Sequence, residues 1–201
     1  MPNSTQALPV RVSPLLPVNN QSIDNQAIVD CKGLRLEQRA ALTVIQVLAF
    51  AKKYETTAKT MTQVLGVKCP TQPGVCNSID SIQVTWNGPN NWMVISEGDD
   101  ALLTKLQKAI GQSAAVVDQS HGRCGLRLSG VHARTVMAKN CALDFHPEFF
   151  KAGDSALTSV AHMNVLIIQV GDESYDLFVA RSLARSFAHA IEHSCGEFAK
   201  A

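Results

Sequence analysis

The densest set of chemically useful side chains lies in eight consecutive residues, 143–150, with the sequence LDFHPEFF. It combines an acid, Asp144, a histidine, His146, and phenylalanines at 145, 149 and 150. A carboxylate can orient an imidazole for proton transfer, and aromatic walls can enclose a small substrate. Phenylalanines on a loop are also typical of a surface that a partner covers, or of plain core. These residues alone leave a substrate site, an interface and a core segment open.

Two cysteines lie near histidines and resemble nucleophile–base pairs. Cys124 follows His121, and Cys141 precedes Asp144 and His146. The partners of such pairs usually meet through the fold rather than through proximity in the sequence. Cysteine is also among the residue types that are most often buried. We therefore predict that these cysteines are small core residues.

Metal and nucleotide sites lack their usual spacing. His189 and His193 stand four apart, but Arg185 lies four residues before His189 on the same predicted face and would repel a cation. That spacing favours a solvated helix face. No C-x-x-C occurs among the six cysteines, and Gly122 and Gly125 do not open a helix after a strand as a dinucleotide site requires. The sequence predicts neither a metal site nor a nucleotide site.

The charge content points towards covered surface. Charged residues make up 17% of the chain, with a net charge of +1, against about 25% in an average domain. A weak net charge gives no general attraction to nucleic acid or membranes. Residues 32–68 are basic, with seven lysines and arginines against Glu37 and Glu55. Since few aromatic residues accompany them, we predict a solvated face or a complement to an acidic partner.

The elements that must position these residues follow from hydrophobic periodicity and turn residues. Apolar alternation and β-branched runs predict strands, and i, i+4 spacing with terminal glycines predicts helices. Adjacent strands joined by turns favour an α+β fold with mainly antiparallel sheets and packed helices. Two β-α-β halves, 34–111 and 114–196, fit the order of the elements. Strands are predicted at 34–37, 42–50, 82–86, 92–95, 114–117, 125–128, 155–170 and 175–179, and helices at 51–65, 99–110, 130–139 and 181–195.

The two ends of the chain differ in composition. Residues 1–33 are rich in Asn, Gln, Ser and Pro, so we expect an N-terminal arm that is flexible or docked on a partner, followed by one domain at 34–201. No run resembles an export signal, and the longest apolar run, 42–51, is too short to span a bilayer. We expect a cytoplasmic protein with reduced thiols.

Several ordered motifs resemble the gamma subunit family of heterotetrameric sarcosine oxidase, from about 34 to 191. The segment at 150–158 is similar to the F-x-x-G-x-x-A-x-T pattern of the family, and 86–92 to its W-x-G-P-x-x-W turn. Phe145 stands where the family often has leucine, and Ala180 where it often has proline. The matching segments are 86–92 (WNGPNNW), 117–123 (VDQSHGR), 128–133 (LSGVHA), 138–147 (AKNCALDFHP), 150–158 (FKAGDSALT) and 178–184 (FVARSLA).

The resemblance implies a fold like that of the aminomethyltransferases, which bind folate, without their catalytic equipment. It implies a non-catalytic subunit that contacts mainly an alpha subunit, together with beta and delta subunits. The complex would oxidise sarcosine to glycine and hydrogen peroxide, giving 5,10-methylenetetrahydrofolate or formaldehyde. FAD, FMN, NAD, tetrahydrofolate and zinc would lie in the other subunits, and none in this chain. A similar subunit of an N-methylglutamate dehydrogenase and a lone folate-binding module are the alternatives.

The resemblance carries over no catalytic, cofactor-binding or metal-binding residue. We expect a small set of residues to shape buried loops or the partner surface, because aromatic and arginine side chains concentrate interface energy. An enzyme of its own that uses Asp144 and His146 is a remaining, minor hypothesis. The interface or structural-loop candidates are Trp86, Trp92, Asp144, Phe145, His146, Phe149 and Arg181.

Overall fold

A computed structural model describes residues 13–15, 27–99 and 101–198. Apolar alternation and turn residues give these ranges eleven strands and four α-helices. The strands are β1 Ala27–Cys31, β2 Leu34–Arg39, β3 Leu42–Ala49, β4 Cys76–Ile79, β5 Ile82–Gly88, β6 Asn91–Glu97, β7 Ala114–Asp118, β8 Arg123–Ser129, β9 Ser155–Val160, β10 Met163–Gly171 and β11 Ser174–Ala180. The helices are α1 Tyr54–Leu65, α2 Leu102–Ile110, α3 Ala133–Asn140 and α4 Ala184–Cys195.

The strands form two antiparallel sheets. One has the order β1-β2-β8-β11-β10-β9, and the other β4-β5-β6-β3-β7. Every pair of neighbouring strands is antiparallel. This confirms the predicted α+β class with antiparallel sheets and packed helices.

The core has three layers, which explains the continuous apolar runs of the central strands. One cluster joins the six-stranded sheet to α3 and α4, and a second joins the five-stranded sheet to α1 and α2. A third lies between the two sheets and contains Val44, Met93, Leu166 and Phe178. Because a strand alternates its faces, β3 sends Val44 to the layer between the sheets and Ile45 towards the helices. Strands buried on both faces lose the polar alternation of a half-exposed strand.

Several local predictions are confirmed. The turn predicted at 88–91 joins β5 to β6, and Gly66 closes α1 with φ 70°, in the left-handed region. Just before α2, Asp99 accepts a hydrogen bond from the Ala101 N–H at 3.0 Å, although the N-cap residue of the helix, Ala101, has no side-chain cap. Asp100 lies outside the described residues.

The predicted strand at 155–170 is wrong as a single element, since it is a hairpin. Strands β9 and β10 are joined by Ala161 and His162, with φ 47° and 64°. Two consecutive left-handed residues make the tight turn that matches strand twist. Glycine or asparagine usually marks such a turn, and neither occupies these two positions, so the residues contain no signal for it.

Three further boundaries differ from prediction. An unpredicted strand, β4, lies between the helix predicted at 51–65 and the strand predicted at 82–86. The helix predicted at 130–139 begins only at Ala133, which leaves Val131 60% exposed. The predicted helix at 181–195 begins with a 3₁₀ turn over Arg181–Leu183.

The N-terminal segment and the two halves also depart from the expected division. Strand β1 begins at Ala27, inside the predicted arm, and Ser13 contacts Gln38; the rest of that arm, 1–12 and 16–26, lies outside the described residues. The sheets cross the predicted boundary between the halves. Strand β2 of the first half pairs with β8, and β7 of the second half pairs with β3.

Candidate partner interface

Two buried phenylalanines attach the loop at 141–153 to the core. Phe145 and Phe150 are buried, with edge-to-face ring contact at a centroid distance of 5.5 Å. Phe145 also meets the ring of Tyr175 at 5.7 Å, and its carbonyl accepts a hydrogen bond from the Arg134 guanidinium. These two phenylalanines therefore belong to the core and hold the loop against it.

Asp144 and His146 do not form an acid–imidazole pair. The Asp144 carboxylate accepts a hydrogen bond from the backbone N–H of His146 at 2.8 Å, so it stabilises a turn rather than the imidazole. The imidazole Nδ1 accepts from the Glu148 N–H at 3.4 Å. The His146 side chain is 58% exposed. An exposed turn of this kind gives no water-excluded pocket for proton transfer.

Phe149 and Trp86, which are 63 positions apart in the sequence, line one open apolar groove. Phe149 is 69% exposed and Trp86 is half-buried. We call this concavity of about 460 Å³ the Phe149 groove. A further apolar side chain on its walls, Leu157 of β9, is 56% exposed. The other lining residues are Pro73, Gly74, Leu143, Phe150, Asp154, Ser155 and Ala156.

Sequence reasoning did not find Leu157 as a surface residue. A single strand over 155–170 gives no reason to place position 157 at a sheet edge. The hairpin makes β9 the outer strand of the six-stranded sheet, and Leu157 faces out beside β5. An exposed leucine next to an exposed phenylalanine is the kind of apolar patch that marks a contact surface.

Trp92 is a core residue that supports the groove indirectly. It is fully buried and stacks on Tyr54 with ring centroids 4.7 Å apart. Its indole N–H donates to the Pro70 carbonyl at 2.8 Å. This bond ties down the loop that continues to Pro73 and Gly74, which form one wall of the groove.

Arg181 directly follows the last residue of β11, Ala180. Its backbone N–H donates to the Gly122 carbonyl at 2.9 Å, which joins the start of the 3₁₀ turn to the turn before β8. Its positive charge lowers the pKa of the Cys124 thiol, but burial dominates and raises that pKa to about 11. Arg181 is therefore not part of the Phe149 groove.

A second concavity, of about 560 Å³, is polar, and its walls include Arg39, Glu97 and Arg127, which form a charge network around the buried Asp176 behind them. We call it the Asp176 cleft. The fully buried Asp176 carboxylate accepts hydrogen bonds from Arg127 at 2.7 and 2.9 Å and also from Arg39. Arg39 also pairs with Glu97. Hydrogen bonding to Asp176 raises the pKa of Arg127.

This network was not predicted from the sequence, although one signal was present. Asp176 interrupts the apolar strand β11, SYDLFVA. A buried carboxylate is costly unless a cation and hydrogen bonds compensate it, so an acid at that position predicts a buried arginine or lysine nearby. Which arginine could not be read from the sequence, since Arg39 lies 137 residues away.

The cysteines behave as core residues, as predicted for Cys124 and Cys141. Both are buried. Burial raises the pKa of Cys69 and Cys195 to about 11. The pKa of Cys76, which lines the Asp176 cleft, rises to about 12 through burial and the nearby Asp176 charge. Thiols with such pKa values stay protonated near neutral pH and are poor nucleophiles.

The helix face with His189 is exposed to solvent, as predicted. The His189 side chain is 83% exposed, 3.9 Å from Glu192. Within residues 13–15, 27–99 and 101–198, no three His, Cys, Asp or Glu side chains are grouped closely enough to hold a metal ion. No helix in those ranges has the length and apolar character needed to cross a membrane.

The basic residues at 32–68 do not form one patch. Arg35 pairs with Asp30 and Glu37 on β1 and β2, while Arg39 is turned into the Asp176 cleft. Lys52, Lys53 and the remaining lysines are exposed, as a solvated face requires.

Known proteins share both the sequence pattern and the fold of this chain. A family model described as "Sarcosine oxidase, gamma subunit family" matches residues 52–197. The curated sarcosine oxidase subunit gamma of Corynebacterium sp. (strain U-96) is 33% identical over 138 residues, which cover 68% of this chain and 67% of that protein.

Two solved structures are similar to this chain. One is a chain of the heterotetrameric sarcosine oxidase from Corynebacterium sp. U-96 in complex with pyrrole 2-carboxylate, with TM-score 0.78 and 28% identity over 87% of this chain and 90% of that chain. The other is aminomethyltransferase T of the glycine cleavage system from Bartonella henselae, with TM-score 0.61 and 14% identity over 79% of this chain and 45% of that chain. At that identity the second likeness shows the fold alone, which agrees with the aminomethyltransferase-like fold expected from the sequence.

Proposed function

This chain belongs to the sarcosine oxidase gamma subunit family, and on that basis we propose that it is the gamma subunit of a heterotetrameric sarcosine oxidase. One observation carries the proposal. The likeness to a chain of the Corynebacterium heterotetramer extends over 87% of this chain and 90% of that chain, with TM-score 0.78 and 28% identity. A match of nearly whole chain to whole chain favours the same position in the same kind of assembly.

We propose further that this subunit is structural and contributes no catalytic residue. Two features of the described residues support this. Asp144 and His146 lie on an exposed turn in which the carboxylate bonds backbone, and the thiols of Cys69, Cys76, Cys124 and Cys195 have raised pKa values. Its function is then to hold other subunits, and the exposed apolar side chains of the Phe149 groove suit that function.

The remaining parts of the proposal concern the complex. The alpha subunit is the main contact, with beta and delta subunits also present. FAD, FMN, NAD, tetrahydrofolate and zinc are held by those other subunits. The complex converts sarcosine to glycine, with reduction of oxygen to hydrogen peroxide, and passes the one-carbon unit to tetrahydrofolate or releases it as formaldehyde. We place it in the cytoplasm, where the six unpaired cysteines of this chain stay reduced.

Affinity purification of the tagged chain from its native cells tests the proposal. We expect a yellow eluate with three further chains and peroxide release that depends on sarcosine. A colourless eluate that contains this chain alone would overturn the proposal. Folate titration of that lone chain would then test the alternative of a folate-binding module. Activity with N-methylglutamate instead of sarcosine would assign the subunit to a related dehydrogenase.

A further inference from the structure

Strand β9 is the outer strand of its sheet, and the middle of its outer side has no strand partner among the described residues. The N–H of Ser155 donates to the Gly74 carbonyl at 3.0 Å, and the N–H of Ala161 donates to the Asn140 carbonyl at 2.8 Å. Both bonds point away from β10. Backbone groups two residues apart face the same side of a strand, so the N–H and C=O groups of Leu157 and Ser159 face the same open side. Neither residue has a backbone partner there within the part of the chain that the structure describes.

This edge lacks the features with which proteins usually block strand addition. Its sequence, SALTSV, has no charge and no proline, and its register with β10 is unbroken from Ser155 to Val160. Strand β1, at the opposite edge of the same sheet, shows the contrast. It has a register shift between Ala27 and Val29, and its Asp30 forms an ion pair with Arg35 at 2.7 Å. Bulges and charges of this kind protect an edge, and β9 has neither.

The Phe149 groove lies directly beside this open edge. Leu157 belongs to both features, since its backbone faces the free side and its side chain lines the groove. A strand added to a sheet edge forms main-chain hydrogen bonds and places alternate side chains in neighbouring pockets. The groove between Trp86, Phe149 and Leu157, of about 460 Å³, has the volume and apolar walls to accept one such side chain.

The loop that forms one side of the groove carries more acid than base. Asp144, Glu148 and Asp154 lie on or next to this loop, and Lys151 is its one lysine or arginine. Asp154 accepts a hydrogen bond from the Lys151 backbone N–H at 2.9 Å, which leaves the lysine charge free to face solvent. Complementary charge would come from a basic residue that flanks the apolar side chain of the partner.

We propose that an extended segment of a neighbouring subunit, apolar at alternate positions and flanked by a basic residue, pairs with the free edge of β9. One of its side chains enters the Phe149 groove between Trp86, Phe149 and Leu157. The inference rests on the proposed function, since a heterotetramer supplies the neighbouring chain.

The main-chain part of the inference is tested with Ser159→Pro in the full chain, co-expressed with the other subunits of the oxidase. Proline removes the outward N–H and is tolerated at an edge whose N–H faces away from the sheet. Ser159→Ala is the matched control, because it removes the hydroxyl and keeps the N–H. We expect Ser159→Pro to weaken retention of this chain in the complex by up to about tenfold, as the loss of one main-chain hydrogen bond implies, and Ser159→Ala to leave it unchanged.

The side-chain part is tested with Phe149→Ala against Phe50→Ala. Both residues are exposed phenylalanines, at 69% and 49%, but Phe50 lies between β3 and α1, away from the groove. Phe149→Ala should weaken assembly by at least about tenfold, since a buried aromatic anchor is a typical hot spot. Phe50→Ala should assemble like the wild type. Equal assembly of both phenylalanine variants and of Ser159→Pro with the wild type would overturn the inference.

A photo-crosslinking amino acid at position 149 of the assembled complex identifies the occupant. We expect a crosslink to an extended segment of another subunit. A crosslink to a second copy of this chain, or to residues 1–12 or 16–26 of the same chain, overturns the inference. Circular dichroism shows whether each variant is folded, and if Ser159→Pro is not, the phenylalanine pair and the crosslink decide.

The same experiments separate this inference from the proposed function. A wild-type chain that co-purifies with no other subunit contradicts the proposed function, and this inference falls with it. A wild-type chain that assembles fully, with variants that assemble equally well, contradicts only the inference.

Discussion

The Asp176 cleft and the Phe149 groove are both concave, but they differ in what their side chains contact. The charges of the Asp176 network have partners within the chain, whereas Phe149 and Leu157 of the groove are exposed to solvent. Behind the wall of the cleft, the fully buried Asp176 lies between Arg39 and Arg127, and Arg39 also pairs with Glu97. In the groove, Phe149 and Leu157 are more than half exposed. The Asp176 network pairs its charges within the chain. The groove leaves apolar surface that nothing in the described residues covers.

This difference distinguishes a structural network from a surface for assembly. A buried charge network stabilises a fold only while all its members are present, and it offers little to a ligand because each charge is already paired. An exposed aromatic contributes little to folding and becomes valuable when a partner removes it from water. Substitutions in the cleft should therefore change stability, and substitutions in the groove should change assembly.

The largest effect should follow from Asp176→Ala. The change leaves two arginines without their carboxylate, and removing one member of a buried ion pair costs about 3–5 kcal/mol of unfolding free energy. Urea unfolding of the full chain measures the loss. Glu97→Gln is the control, since the Glu97 side chain is 57% exposed and its loss should cost less than about 1 kcal/mol. Equal losses in the two variants would show that Asp176 is not the centre of the network.

Trp92→Ala should come next. It removes a fully buried ring, the stacking on Tyr54 and the hydrogen bond to Pro70, and large-to-small changes of this kind cost about 3–5 kcal/mol. Trp86→Ala is the comparison, because Trp86 is half-buried on the groove wall and should cost clearly less. The same unfolding measurement decides, and a greater loss in Trp86→Ala would contradict the assignment of Trp92 to the core.

The Cys76 thiol should lower the free energy of unfolding at alkaline pH. In the folded chain its pKa is about 12, against an ordinary value of 9.0. Between these values the unfolded chain gives up the proton and the folded chain keeps it, so the free energy of unfolding falls as the pH rises. At about pH 10 this one thiol should account for roughly 1 kcal/mol. Unfolding at about pH 8 and about pH 10 should show a smaller loss in Cys76→Ala than in Ser78→Ala, a cleft control without a thiol. An identical loss in the two variants would refute the assignment.

The smallest effect on stability should come from the exposed Phe149 of the groove. Phe149→Ala should change the unfolding free energy by less than about 0.5 kcal/mol, as expected for an exposed side chain. The neighbouring Phe150→Ala should cost about 3–5 kcal/mol, since that ring is only 5% exposed. Thermal or urea unfolding of the two variants tests whether adjacent phenylalanines divide between surface and core. A large loss in Phe149→Ala would place it in the core instead.

Particular residues show how far the sequence could be interpreted. The turn at 88–91, the alternation of β5 and the glycine that closes α1 were predictable because each depends on residues that are close in the chain. The β9–β10 turn was not, because Ala161 and His162 adopt left-handed conformations without glycine or asparagine. The loop with Phe149 was recognised as unusual from its residues. The exposure of Leu157, which lines the same groove, was not predicted, because 155–170 was predicted as one strand.

The sequence by itself determined the α+β class, the antiparallel pairing, the burial of Cys124 and Cys141, and the family. All of these depend on local periodicity or on ordered motifs. Only the tertiary structure decided that Phe145 and Phe150 are core while Phe149 is surface, and that Trp86 rather than Trp92 lines the groove. It also decided that Asp176 is neutralised by Arg39 from 137 residues away. The physical reason is that burial depends on what another part of the chain places against a side chain, and a local pattern contains no information on that placement.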